Sequence, residues 1–439
     1  MCEQIQTLKD QLTNIDLEKI EESPKPSLMD MPVEILIKIC SYLDVQILKH
    51  TLSKVCQRLN DILADDCLWK YWVHSKIKGY FPTLPDLKIW QDTQIDWEAV
   101  CIEMDLETKK WMNFKDTMRH IVVKDVHFAS VDTVLLLNGG NICVSGGRDR
   151  GMGLWDVLSI DPNDQSDHLT SSATAKPKHI KHDAHAGWVW DLAADNIDSP
   201  SLVYSASWDN TVKAWDLETG LECKQTLKCD MSALSVATIE NEVLAGLYSK
   251  RVLAFDIRVG PNHVYDYKPH RGPVLELETF NNLIASLSED KTMAIFDRVA
   301  GKLLKSDIKI PSEKAYPVCI SWSPSTLYIG DSKGSLHLFN PENFSYIRTH
   351  EIWPEPPIIE PSSKITGCYQ DKGNMIVCSD RGEIKFLYNS YPPQEYASIK
   401  SSTFDVTQLR YLNGVLAIGT CDSALEFWVP REKYTNLQD

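Results

Sequence analysis

The chain of 439 residues has no apolar run approaching the roughly 20 residues that a membrane-spanning helix needs. Its start, Met1-Cys-Glu-Gln-Ile-Gln, lacks the basic segment followed by an apolar one that marks a secretory leader. Positive charge is scarce: 45 Lys and Arg stand against 61 Asp and Glu, a formal net charge of −16. That balance argues against broad binding to a phosphate backbone, so nucleic acid is not expected as a partner, and without a spanning run neither is a membrane. The 12 cysteines contain no C-x-x-C pair, and Cys143, Cys319 and Cys378 fall at apolar strand positions, where free cysteine behaves as a small hydrophobe. Reduced thiols, no metal, no cofactor and residence in the cytoplasm or nucleus are the expectations. The remainder, 24% charged and 43% hydrophobic, is ordinary for a soluble globular chain large enough for two or three domains.

What is abundant is a repeat. Residues 204–207 alternate small and apolar, Asp209-Asn210 is turn chemistry, and residues 211–215 are rich in β-branched and aromatic types, so the stretch reads as a β-hairpin. An aspartate in its turn precedes an aromatic by six residues. The same offset links Asp149 to Trp155, Asp209 to Trp215, Ser249 to Phe255, Asp290 to Phe296, Lys333 to Phe339, Asp380 to Phe386 and Asp422 to Trp428. The aromatics are 60, 40, 41, 43, 47 and 42 residues apart, the period of a four-stranded propeller blade with one insertion in the first interval. Asp156, Asp216, Asp256 and Asp297 directly follow the aromatic in the first four copies. On these residues the last three quarters of the chain resembles the WD-repeat family.

Three copies carry a histidine 20 to 24 residues before the turn aspartate, at His127, His185 and His270, and the same three carry a serine four residues before it, at Ser145, Ser205 and Ser286. The resemblance implies that these join Asp149, Asp209 and Asp290, with Trp155 and Trp215, in buried hydrogen-bond networks that tie strands together. Ser, His and Asp together superficially suggest a hydrolase. A nucleophile, however, is needed once and in the open, whereas this set recurs in three copies, so a structural role and no enzymatic activity are expected.

The N-terminal quarter reads differently. Residues 1–25 show a weak helical pattern (Ile5, Leu8, Leu12, Ile15) and read as a flexible or weakly helical tail. Pro32 can occupy the first turn of a helix capped by Asp30, with Ile35, Leu36, Ile39, Tyr42 and Leu43 as its apolar face. A second helical stretch over residues 46–63 presents Leu48, Leu52, Val55, Cys56, Leu59, Ile62 and Leu63. A unit of this size buries little surface by itself and has neither disulfides nor a metal-ligand set, so it should lean on something else. Four ordered signatures resemble an F-box: Pro-Val-Glu-Ile-Leu at 32–36, Ser-Tyr-Leu-Asp at 41–44, Val-Cys-Gln-Arg-Leu at 55–59 and Asp-Asp-Cys-Leu-Trp at 65–69. Met31 and Leu59 depart from the usual leucine and tryptophan, and both stay apolar. The resemblance implies a Skp-type adaptor bound through Met31, Pro32, Ile35, Leu36, Ile39, Tyr42, Leu43, Val55, Cys56, Leu59, Leu68 and Trp69, and through it a cullin and a RING subunit.

Residues 73–119 are rich in tryptophan (Trp90, Trp97, Trp111), with Pro82 and Pro85 early, and read either as a packed helical spacer or as a layer over one edge of the propeller. Residues 121–126 read as a strand, while only 11 residues follow Trp428. The early strand should therefore complete the last blade and remove an open edge. Residues 159–182 read as a polar surface loop, and the proline-rich stretch 353–361 as an extended connection.

The expected fold is multidomain: an N-terminal tail (1–25), a small all-α F-box (26–72), a helical linker (73–119) and an all-β seven-bladed WD-repeat propeller (120–439). Trp188, Trp190 and Trp208 fall near the rim of one propeller face, where large aromatics mark either an interface or local packing. Neighbouring units add Arg148, Tyr248 and Glu289 to this expected substrate-binding face. A phosphorylated target would call for clustered arginines, and only Arg148, with Arg150 nearby, stands there. As a whole the chain resembles F-box/WD-repeat proteins, which implies a non-catalytic substrate receptor of an SCF-type ubiquitin ligase. The competing expectation is a WD-repeat scaffold without a ligase role.

Overall fold

The computed structural model describes residues 28–81, 95–124, 127–160, 170–173, 177–312, 314–354, 363–402 and 405–435. The N-terminal tail, Pro82, Pro85 and Trp90, the centre of the 159–182 insertion and most of the proline-rich stretch 353–361 lie outside them. The chain divides into two compact units, Met1–Trp72 and Val73–Asp439.

The smaller unit is helical: α1 (Val33–Cys40), α2 (Val45–His50), α3 (Gln57–Leu63) and α4 (Asp66–Lys76), the last running past the boundary. Pro32 stands at the N-cap of α1 with no side chain capping it, so the capping expected from Asp30 is not observed. A fixed φ of −54° and an extended ψ of 147° at Pro32 already set the entry into the helix. The helix expected over 46–63 is broken into α2, a 3₁₀ turn at Leu52–Lys54 and α3, because Cys56 is extended (φ −158°, ψ 159°). Asp44 caps α2 by accepting the Gln46 N–H at 2.8 Å.

The larger unit is a ring of seven antiparallel sheets. The first strand of each sheet, beginning with Val131–Leu137 and Val189–Ala194 and ending with Val406–Leu412, packs against the first strands of its two neighbours, and the last of these strands meets the first. The final sheet takes its fourth strand from the start of the unit: Met118–Val123 pairs antiparallel with Leu425–Pro430, Ile121 opposite Phe427. Four residues of the insertion, Thr170–Ala173, pair in parallel along the other side of that strand, so part of the expected loop covers the edge instead. His179–Lys181, at the end of the expected insertion, is the fourth strand of the first blade.

The six-residue offset marks the second hairpin of six blades. In each, the aromatic lies three residues after the last ladder pair, as Trp215 follows the pair Ala206–Val212. The sixth blade is one residue out: the last pair is Cys378–Ile384, so Leu387, and not Phe386, takes the tryptophan position. Because strand side chains alternate in direction, this slip turns Phe386 to the opposite face. There it stacks on Trp111 at 4.0 Å. Trp111 belongs to α5 (Trp97–Met112), which packs on the sixth blade and resolves the two readings of the linker in favour of a layer on the propeller. Met104 of α5 fills the space over Gly373, where an added Cβ would come within 2.4 Å of its Cγ.

Two of the three expected networks are complete. His127 Nδ1 lies 2.9 Å from Asp149 and its Nε2 2.9 Å from Ser145 Oγ, which accepts the Trp155 indole N–H at 3.0 Å. His185 repeats this with Asp209 (2.9 Å), Ser205 (2.7 Å) and Trp215 (2.7 Å). The carboxylate can only accept, which puts a proton on Nδ1, and in the neutral ring Nε2 is then left to accept from serine. The third set departs from the expectation. His270 Nε2 reaches Ser286 at 2.8 Å, but Nδ1 meets Thr292 Oγ1 (2.8 Å) while Asp290 stands 3.7 Å away, and Phe296 has no indole to donate. A further buried pair was not anticipated, because its histidine lies on a different strand: His337 Nε2 is 3.0 Å from Asp331 in the fifth blade.

The second network should set an acid limit. Burial opposes the Asp209 carboxylate, yet hydrogen bonds from His185 and Thr211 outweigh it and hold this group well below the usual carboxylate range. Burial also lowers His185, more than Asp209 raises it. Both shifts remove stability on acidification. A depressed aspartate loses its contribution as pH falls through its folded value, and a histidine kept neutral is protonated more readily in the unfolded chain below about pH 6.5. His185 should therefore lower the thermal midpoint as pH falls from about 7 to about 4, with Asp209 adding its loss only below about pH 4, and His185→Gln should flatten the first part of that fall. Asp209→Ala should cost about 1–3 kcal/mol in a denaturant series and Asp290→Ala less, since no histidine bonds directly to Asp290. Equal costs would contradict the network account.

Candidate functional site

Two surfaces stand out, one in each unit. In the helical unit the expected adaptor residues separate by burial. Met31, Pro32, Ile35, Ile39, Tyr42, Leu43 and Val55 face solvent, Ile35 at 45% exposure and Tyr42 at 79%. Leu36, at 2%, is buried together with Leu59, Leu68 and Trp69, so these four belong to the core and not to a free face. The Trp69 indole N–H donates to the Leu63 carbonyl at 2.9 Å, closing the chain between α3 and α4. Cys56 is half-buried, with its Sγ 3.8 Å from Met29 Sδ. Sequence periodicity could not make this division, since Ile35 and Leu36 are neighbours of the same type. It also passed over Val33 and Ile47, both exposed. An isolated exposed apolar residue is unremarkable, but this many on the described residues 28–72 of the unit form an unusually apolar surface.

In the propeller, the expected rim residues come together. Trp188, Trp190 and Trp208 lie with ring centroids 5.9 to 6.3 Å apart, and Tyr248 meets Trp208 edge-on at 5.9 Å. The Trp208 N–H donates to the Trp188 carbonyl at 2.9 Å, which brings the start of one strand and the hairpin turn of the next together. The Arg148 guanidinium covers the faces of Trp188 (5.1 Å) and Trp190 (5.9 Å) and is held there by Asp132, 3.0 Å from its Nε. The tryptophans thus pack on one another and remain accessible: Trp188 is 40% exposed and Trp208 42%. Local packing and availability for binding, opposed as alternatives in the sequence, coexist.

Trp190, Trp208, Tyr248 and Glu289 line the mouth of a cavity of about 620 Å³ at the centre of the ring. Deeper in it stand Asp191, Glu276 and Arg410, with Arg410 3.9 Å from Asp191. Burial pushes the Glu276 carboxyl well above its usual range, and the neighbouring Asp191 adds to this. Among the described residues no group of three or more His, Cys, Asp or Glu could hold a metal ion. Ser145, Ser205 and Ser286 are buried, with their hydroxyls engaged by histidine and, in the first two, indole, so these sets join strands and offer no exposed nucleophile.

The F-box-like family model matches residues 28–73, and the WD domain, G-beta repeat model matches residues 176–216. F-box/WD repeat-containing protein 9 of Bos taurus is 32% identical over 373 residues, covering 84% of this chain and 75% of the relative. Its Homo sapiens counterpart is 29% identical over 412 residues, 93% of this chain and 84% of the relative. F-box/WD repeat-containing protein mec-15 of Caenorhabditis elegans is 25% identical over 417 residues, 92% and 96% of the two chains.

The burial of neighbouring side chains in α1 predicts opposite outcomes for adjacent substitutions. Leu36→Ala should destabilise the helical unit by about 2–5 kcal/mol, and Ile35→Ala by less than about 0.5 kcal/mol. Circular dichroism melts of the full chain with both variants provide the comparison; equal losses would mean that Ile35 is not a surface residue.

Proposed function

The chain belongs to the F-box/WD repeat-containing protein family, and from that premise we propose that it is the non-catalytic substrate receptor of an SCF-type ubiquitin ligase. In this reading the helical unit binds a Skp-type adaptor, which joins it to a cullin and a RING subunit, and the propeller captures the protein to be ubiquitinated. Chemistry belongs to the other subunits, and the complex works in the cytoplasm or nucleus.

One observation carries the reading: the solvent-facing apolar set Met31, Ile35, Ile39, Tyr42, Leu43 and Val55, within the segment that the F-box-like model matches. A propeller scaffold whose N-terminal helices served only its own packing would turn such residues inward, because exposed apolar area is costly and invites aggregation. The aromatic cluster supports the second half of the reading, since tryptophan and tyrosine are the side chains that most often carry interface energy.

The experiment is a capture series with a purified Skp-type adaptor. Ile35→Asp with Ile39→Asp should abolish capture while the propeller stays folded; retained capture would reject the F-box role. Trp190→Ala with Trp208→Ala should spare the adaptor and lose the protein partners recovered with the intact chain, each anchor contributing about 2 kcal/mol or more. Unchanged partner recovery by the folded double variant would assign the tryptophans to packing alone.

A further inference from the structure

The charge around the propeller mouth specifies what kind of segment it receives. Both arginines lining the cavity already have carboxylate neighbours: Arg148 is bonded to Asp132, and Arg410, deeper in, lies 3.9 Å from Asp191. Glu276 shares Arg410 with Asp191, and Glu289, Asp380 and Asp405 line the same cavity with Lys364 as the remaining cation. Glu289 and Asp405 are exposed, and Glu276 lies further in, on the innermost strand of the fourth blade. The Trp208 and Tyr248 rings line the same cavity and are partly open to solvent.

We infer that the mouth recognises an unphosphorylated, basic segment of its target, with an arginine or lysine side chain held between the Trp208–Tyr248 rings and the carboxylates of Glu289, Asp405 and Glu276. The inference deepens the substrate-receptor reading and rests on it. A cation gains twice at this place. The ring faces attract it through their quadrupoles, and the surplus carboxylates supply opposite charge in a partly desolvated cavity, where such attraction is stronger than in open water. A phosphate would gain neither. It would meet the carboxylates of Glu289, Asp380 and Asp405, and beyond Lys364 it would need an arginine released from its present carboxylate. The depth of Glu276 adds selectivity for reach: a long side chain can bring its charge to a carboxyl that burial now disfavours in its ionised form, while a short polar one stops at the rim.

The test uses the immobilised full chain and four pools of degenerate dodecapeptides, with arginine, lysine, glutamine or phosphoserine fixed at the centre. The arginine and lysine pools should be retained about tenfold more strongly than the glutamine pool. That preference should shrink as salt is raised and disappear in the double variant Glu289→Gln, Asp405→Asn, whose exposed positions leave folding undisturbed. Stronger retention of the phosphoserine pool, retention independent of charge, or a preference that survives in the double variant would overturn the inference, as would failure to retain any pool. Adaptor capture by the same preparation is read separately: its absence would refute the ligase reading and leave the peptide result standing.

Discussion

Closure of the ring by Met118–Val123 is the interaction on which the rest of the structure depends. Without this strand the outer edge of Leu425–Pro430 would be left without its partner, and the sheet that contacts both the first and sixth blades would have three strands. The junction is held by more than backbone pairing. Glu426, fully buried, lies 2.9 Å from His120 Nε2 on the closing strand and accepts the hydroxyls of Ser401 (2.8 Å) and Ser402 (2.9 Å) from the connection out of the sixth blade. His120 also stacks on Trp428 at 4.3 Å. A buried carboxylate is tolerable only when its oxygens are satisfied, so strand, connection and final blade are locked together.

That closure sets the positions of everything on the rim. The mouth cavity takes its lining from all seven blades, and residues as distant in sequence as Asp132, Glu289 and Asp405 face it because the first and last inner strands meet. The polar chemistry of the propeller falls into two kinds. His127, His185 and their serine and tryptophan partners are buried, Asp149 and Asp209 are half-buried, and together they fix strands. Trp208, Tyr248 and Glu289 at the rim are accessible, and they are available to a partner. The same distinction separates Leu36 from Ile35 in the helical unit.

Much of this was legible in the sequence because the constraint repeats. A turn residue six positions before an aromatic reports the length of a hairpin, and hairpin length is nearly constant from blade to blade. The offset misleads where the spacing persists without the register: Asp380 and Phe386 keep it, but Leu387 faces the preceding blade and Phe386 turns to α5. Such a slip is invisible in a string where both residues are large and apolar. The exchange of Asp290 for Thr292 as the partner of His270 was similarly hidden, because Thr211 occupies the corresponding place in a network that does use its aspartate. The rim tryptophans follow from register alone, whereas the carboxylates that line the cavity with them come from blades distant in sequence and become one surface only through the closed ring.

Two separate docking surfaces are proposed on one chain, a helical one for the adaptor and a propeller rim for the target. Hydrogen–deuterium exchange of the full chain with and without a purified Skp-type adaptor tests this most directly. The account predicts new protection confined to residues 31–55, with the peptides containing Trp190, Trp208 and Tyr248 unchanged. Protection on the propeller rim, or none anywhere at saturating adaptor, would contradict it.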